Sequence, residues 1–138
     1  MIALDTSVIL TMALDEPEAD RFRSLVGREA LVIGWPTLLE ARMVLSGKGF
    51  ANARAIIAQL VDLPKVTAVA FGELHYHAAE HAFEQFGKGR HPAGLNMGDC
   101  FAYAVARIAK APLLFKGADF GKTDILLHPQ SAVLSDGR

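Results

Sequence analysis

The 138-residue chain has a single cysteine, Cys100. That excludes an internal disulfide and a zinc site built from several thiolates. With Phe101, Ala102 and Ala104 beside it, burial in a core is its expected role. Nowhere does an apolar run reach the ~18–20 residues that a membrane-spanning helix takes. The short apolar start, Met1 to Leu4, is broken by Asp5 and has no basic stretch before it. A signal peptide is therefore not expected there, and the cytoplasm is the expected location. Charge of one sign is lacking too: 14 Lys and Arg against 15 Asp and Glu give a net charge of -1. A surface that binds nucleic acid by charge alone is usually more basic, unless a bound cation masks some of the acids. The phosphate-cradling patterns G-x-x-x-x-G-K-[ST] and G-x-G-x-x-G are missing, and so are internal repeats, low-complexity segments and linkers.

What is present is a substantial apolar content. Hydrophobic residues make up 51%, which excludes a disordered chain, and the length suits one domain over residues 1–138. Short apolar runs predict strands at residues 1–4, 30–33, 66–70, 113–115 and 125–127. Helices are predicted between them. The first, 8–14, is capped by Thr6 or Ser7. The second, 18–26, has Pro17 in its first turn and Gly27 just past its end. Four more cover 36–46, 50–63, 73–86 and 99–110. Residues 87–94 form a glycine-rich basic loop, and a polar tail starts at Pro129. Strands alternating with helices predict an α/β fold with a mostly parallel sheet of about five strands.

Four acidic residues stand out because their neighbours are apolar. Asp5 ends the first strand. Glu40 lies in Thr37-Leu38-Leu39-Glu40-Ala41. Asp99 starts a helix-like run, and Asp119 follows the strand that contains Leu113 and Leu114. Carboxylates in apolar surroundings are costly unless their charge is compensated. In parallel α/β sheets, ligands bind beyond the carboxyl ends of the strands. Asp5 and Asp119 fall at such ends, and Asp99 falls at a helix N-terminus, where a negative charge is favoured. A hard divalent cation such as Mg²⁺ or Mn²⁺ takes oxygen ligands, and such a site suits phosphodiester hydrolysis. Taken singly, Asp5, Asp99 and Asp119 are also ordinary capping or turn residues; Glu40, on an apolar helix, is harder to explain that way.

The segments Leu4-Asp5-Thr6-Ser7, Leu39-Glu40-Ala41, Asn96-Met97-Gly98-Asp99-Cys100-Phe101-Ala102-Tyr103-Ala104, Lys116-Gly117-Ala118-Asp119-Phe120 and Thr123-Asp124-Ile125 together resemble the PIN-domain ribonucleases. Within that family the chain looks most like the VapC-like toxins of type II toxin–antitoxin pairs. The resemblance implies a three-layer α/β/α fold. It implies that Asp5, Glu40 and Asp99 are metal ligands and catalytic residues, with Asp119 as a fourth. Thr6 or Ser7 would orient Asp5 or a water, and Asp124 would support the site. The family often has Asn or Asp where Ala118 stands, so that polar side chain is absent here. The implied reaction is Mg²⁺- or Mn²⁺-dependent cleavage of RNA, in transfer RNA or a ribosomal RNA loop. The implied partners are a VapB-like antitoxin and a second copy of the chain in a homodimer, with helical residues 8–14 and 53–63 as candidate surfaces for the antitoxin. Lys88, Arg90 and His91, in the basic loop, are candidates for touching RNA.

Two other readings compete. His77-Ala78-Ala79-Glu80-His81 matches H-x-x-E-H, which would make a zinc hydrolase with His77 and His81 as ligands and Glu80 as base. A third ligand and a much longer chain would be needed. The other is a PIN-like binding module without catalysis, against which the complete set of four acids argues.

Overall fold

Four parallel strands form the central sheet of the computed structural model, which describes residues 1–135. They are β1 (Ile2–Leu4), β2 (Leu31–Gly34), β3 (Val66–Val69) and β4 (Leu113–Leu114), in the order β3-β2-β1-β4. Ala3 pairs with Val32 on one side and Leu113 on the other. Every residue of β1 and β2 is buried, as expected of central parallel strands covered on both faces.

The two faces follow from the period-2 alternation of side chains. Ile2, Leu4, Leu31 and Ile33 point into one core, shared with helices α1 (Thr6–Ala13), α2 (Ala19–Arg28), α3 (Trp35–Gly47) and α4 (Ala53–Val61). Ala3, Val32 and Leu113 point into a second core, shared with α5 (Glu73–Phe86) and α6 (Met97–Ala109). The result is a three-layer α/β/α arrangement. Strand β2 runs into α3 without a linker, and Gly34 at the junction lets α6 pack close: a Cβ there would lie 2.9 Å from Val105 Cγ2 of α6. Among the described residues no helix is long and apolar enough to cross a membrane.

Several expectations are corrected. Residues 125–127 do not form a fifth strand. They make one bridge, Leu113 to Leu127, with Leu113 N–H donating to Leu126 O and His128 N–H donating to Leu113 O, both at 2.9 Å. The Thr123 turn before this segment and Pro129 after it leave room for little more pairing. The polar tail contains a strand instead: β6 (Ala132–Val133) pairs in parallel with β5 (Lys116–Gly117) because Ala132 is buried in the first core. The rest of that tail, residues 136–138, lies outside the described residues. Helix α1 is capped by Asp5, not by Thr6 or Ser7. Gly27 lies within α2 rather than beyond it. Helix α6 starts two residues before Asp99, with Asn96 as its cap.

Candidate active site

Asp5 is the one residue between β1 and α1. Its N–H extends the sheet ladder by donating to Leu114 O at 3.1 Å, and its carboxylate accepts from Ser7 N–H at 3.1 Å. A residue that both ends a buried strand and caps a helix cannot swing out to solvent, and Asp5 is 7% exposed. Burial pushes its pKa up to about 6; the Ser7 hydrogen bonds work against this, and the charge of Glu40 adds to it.

Asp99 is the third residue of α6 and is locked by a capping box. Its N–H donates to Asn96 Oδ1 at 2.9 Å, and its Oδ2 accepts from Asn96 N–H at 3.1 Å. Burial again dominates and pushes its pKa to about 7; the Asn96 hydrogen bond opposes this, while the charges of Asp5, Asp119 and Glu40 add to it. All three other acids therefore act on Asp99. Next to it, Cys100 is buried, and its thiol is pushed up to about 11 by burial and by the Asp99 charge.

Glu40 is on α3, half-buried, and accepts a hydrogen bond from the Thr6 hydroxyl. Gly98 makes room for it. A Cβ on Gly98 would lie 2.6 Å from Glu40 Oε1 and closer still to Oε2 and Cδ. Asp119, partly buried, precedes a 3₁₀ turn at Phe120–Lys122 whose Phe120 is buried against Phe115. The four acids thus form one electrostatic cluster at the carboxyl edge of the sheet, on four separate elements. Among the described residues, no three acidic, imidazole or thiol side chains converge as a ready-made ligand shell; Glu40 and Asp99 are turned onto Thr6 and Asn96. The donor chemistry nevertheless fits a hard cation: the charges acting on Asp99 are other carboxylates, and all the donors are oxygens.

The supporting residues divide: Ser7 bonds Asp5, while Thr6 and Asp124 do not. Thr6 holds Glu40, not Asp5. The Ser7 hydroxyl accepts from Lys116 N–H at 2.9 Å, while its backbone N–H serves Asp5. Asp124 takes no part in the cluster; it pairs with Tyr103 and Arg107 further along α6. In the basic loop, the Arg90 guanidinium lies 4.7 Å from the Phe83 ring centre. His91 Nδ1 accepts from Ala93 N–H at 3.0 Å, and its ring packs edge-on to Phe86. These two brace the loop. Lys88 lines a groove with Asn96, Met97 and Cys100. On α5, Glu80 accepts from the Tyr76 hydroxyl at 2.9 Å, and His77 faces Glu73 at 3.6 Å. Neither geometry makes a zinc centre with His81, and no third ligand joins them among the described residues.

Asn96 and Gly98 were not singled out from the sequence. The N-x-x-D spacing is that of a capping box, and the Gly–Asp pair before an apolar helix is the trace of a close approach. Gly98→Ala is expected to displace Glu40 and lower the phosphodiester cleavage expected of such a cluster by roughly 10–100-fold. The melting temperature should fall by only a few degrees. Cleavage assays and thermal melts of the purified variant check both, and full activity would show that Glu40 can move without loss.

A family model described as "PIN domain" matches residues 2–126. The chain is 40% identical over 126 residues to the "VapC ribonuclease Mb0640" of Mycobacterium bovis, covering 90% of this chain and 95% of that one. It is 36% identical over 126 residues to the "Ribonuclease VapC" of Mycolicibacterium smegmatis, covering 90% and 97%. Among solved structures, VapC20 of Mycobacterium tuberculosis, described as a sarcin–ricin-loop-cleaving toxin, superposes with a TM-score of 0.71 at 17% identity, over 91% of this chain and 97% of that one. The VapBC2 complex of Rickettsia felis, bound to a promoter DNA fragment, gives 0.68 at 15% identity, over 93% and 98%. With its four acids at the carboxyl edge of a parallel sheet, this chain belongs to the PIN-domain family, among the VapC ribonucleases.

Proposed function

We propose that the chain is a metal-dependent endoribonuclease, the toxin of a type II toxin–antitoxin pair, folded as one domain. The observation that carries this reading is the environment of Asp99. It is mostly buried, its pKa is pushed to about 7, and the charges acting on it are three other carboxylates. Asp5, Glu40 and Asp99 would hold a divalent cation, with Asp119 as the fourth acid. That cation supplies charge compensation at the phosphate and makes water more acidic. The chain's own residues fix the acids: Asn96 holds Asp99, Thr6 holds Glu40, and Ser7 N–H holds Asp5. In the hydrolysis, water adds to phosphorus in line, the P–O3′ bond breaks, and the 3′-oxygen takes a proton. A 5′-phosphate and a 3′-hydroxyl result. Mg²⁺ and Mn²⁺ both suit an all-oxygen set. The substrate class is structured RNA, transfer RNA or a ribosomal loop, with Lys88, in the groove it shares with Asn96, as a phosphate contact.

The partners follow from the relatives and from the surface. Solved neighbours from Rickettsia felis and Haemophilus influenzae are VapBC complexes, which supports a VapB-like antitoxin. A groove lined by Ile9, Met12, Ala13, Ile56, Leu60 and Leu63 runs between α1 and α4, the helices expected to receive it. Trp35, Leu39, Met43 and Met97 are exposed beside Glu40, which supports a homodimer on that face. The cytoplasm is where such an RNA and such a partner meet.

Expression of wild-type and Asp5→Asn chains in bacteria lacking the antitoxin tests the proposal. Growth arrest with discrete RNA fragments is expected for the wild type alone. Equal, healthy growth with intact RNA would favour a binding module without catalysis.

A further inference from the structure

Asp99, Tyr103 and Arg107 are four residues apart in turn along α6, so they form one stripe down that helix. Asp99 belongs to the carboxylate cluster. The other two grip Asp124. The Tyr103 hydroxyl donates to Asp124 Oδ1 at 2.7 Å. Arg107 donates to Asp124 Oδ2 at 3.1 Å and to the Tyr103 oxygen at 2.6 Å. Tyr103 is fully buried, and the guanidinium lies 5.2 Å from its ring centre.

Asp124 is tied closely to Asp119. The intervening turn is closed by the Thr123 hydroxyl, which donates to Phe120 O at 2.8 Å, and Ile125 N–H donates to Thr123 Oγ1 at 3.3 Å. Phe120 and Ile125 are both buried in the second core. Residues 119–125 therefore form a short clip. Three residues before it, Lys116 N–H donates to the Ser7 hydroxyl, beside Asp5. At its downstream end, Asp124 is fastened to the helix that carries Asp99. Asp119 is held between these two anchors, against the repulsion of the other acids.

Resting on the site proposed above, we infer that Tyr103, Arg107 and Asp124 are positioning residues: they fasten the clip to α6 and so fix Asp119 relative to Asp99 at the spacing a divalent cation requires. None of the three touches the cation or the substrate. A loose clip would let Asp119 recede from Asp99. Cation affinity, more than the rate with cation saturating, would register that.

The test compares wild type, Tyr103→Phe, Asp124→Asn and Leu25→Ala. The first two variants remove one hydroxyl and one charge; Leu25→Ala weakens the opposite core. Mn²⁺ binding is measured by electron paramagnetic resonance on the purified proteins, together with melting temperature and RNA cleavage over a Mn²⁺ titration. Tyr103→Phe and Asp124→Asn are expected to bind Mn²⁺ ~10-fold more weakly, with cleavage at saturating Mn²⁺ within ~3-fold of wild type. Leu25→Ala is expected to lose at least as much thermal stability with its Mn²⁺ affinity unchanged. Unchanged Mn²⁺ affinity in both clip variants overturns the inference, as does an equal weakening in Leu25→Ala. Asp124 is half exposed, so Asp124→Asn carries the test if Tyr103→Phe does not fold. Failure of the wild type itself to bind Mn²⁺ would instead overturn the site reading, and this inference with it.

Discussion

RNA cleavage by an Asp99→Asn protein is expected to fall by at least ~10³-fold, equivalent to ~4 kcal/mol of lost transition-state stabilisation. The same protein is expected to melt at a higher temperature than wild type when no metal is added. The two effects have one cause. Asp99 is mostly buried among the charges of Asp5, Asp119 and Glu40, so its ionised form is unwelcome in the fold unless a cation shares it. Asparagine keeps the shape, and its carbonyl can still accept from Asn96 N–H in the capping box, so α6 keeps its first turn. Cleavage assays on protein free of wild-type contamination, with melts in a chelator, read both. An active variant would remove Asp99 from the chemistry. An inactive variant that melts lower would mean that Asp99 is a structural cap whose loss spoils the helix.

The stability of the metal-free wild type is expected to fall as the pH rises. Asp5, at about 6, and Asp99, at about 7, hold their protons more tightly in the fold than in the unfolded chain, where an aspartate carboxyl titrates at 3.8. Between ~pH 4 and ~pH 7 the folded state therefore binds more protons than the unfolded state, and linkage makes stability decline across that window. At ~1.4 kcal/mol per tenfold change in proton affinity, the two groups together make the decline on the order of 7 kcal/mol, roughly 20 °C in melting temperature. Other groups act in the opposite sense. Glu18 is held below the usual range by Lys116. At Asp124, burial is outweighed by the hydrogen bonds from Tyr103 and Arg107. Both matter only below ~pH 5. Burial lowers the pKa of His128, which works against the trend near ~pH 6.5. The informative quantity is therefore the difference between wild type and Asp99→Asn at each pH. It should grow steadily from pH ~4.5 to ~7.5 and shrink when Mn²⁺ is added to excess, since binding at ~100 times Kd contributes ~2.7 kcal/mol. A flat difference across that range would mean that neither burial nor the neighbouring acids raise the Asp99 carboxyl in the fold.

The sequence made the layers and three of the four acids easy to read, for a physical reason. Asp5 and Asp119 stop apolar runs, and Asp99 sits at the start of one, so each marks the end of a core element. Glu40 was legible because Leu38, Leu39 and Ala41 leave a lone carboxylate unexplained. What could not be read was the local hydrogen bonding. Asn96 and Asp99 stand at a spacing that lets either be the cap, and only the backbone turn at Asn96 decides it. Asp124 lies close to Asp119 in sequence, but the 3₁₀ turn between them sends it to a different part of α6. Arg90 and His91 look free in a basic loop, yet Phe83 and Phe86, on the preceding helix, engage them. Ile125, Leu126 and Leu127 have a strand's composition, but pairing needs a neighbour in register, and the chain offers one bridge.

The position of Asp5 has a consequence for how such a protein can be disarmed. Its carboxylate both serves the cluster and caps α1 through Ser7 N–H, and asparagine caps a helix about as well as aspartate does. A single-base change in an aspartate codon suffices for that exchange. The product would be a chain without activity whose helices, grooves and exposed faces are intact, so it would still occupy whatever the active form occupies. In a cell that holds both forms, such an allele would compete for the neutralising partner and leave more of the active form unguarded.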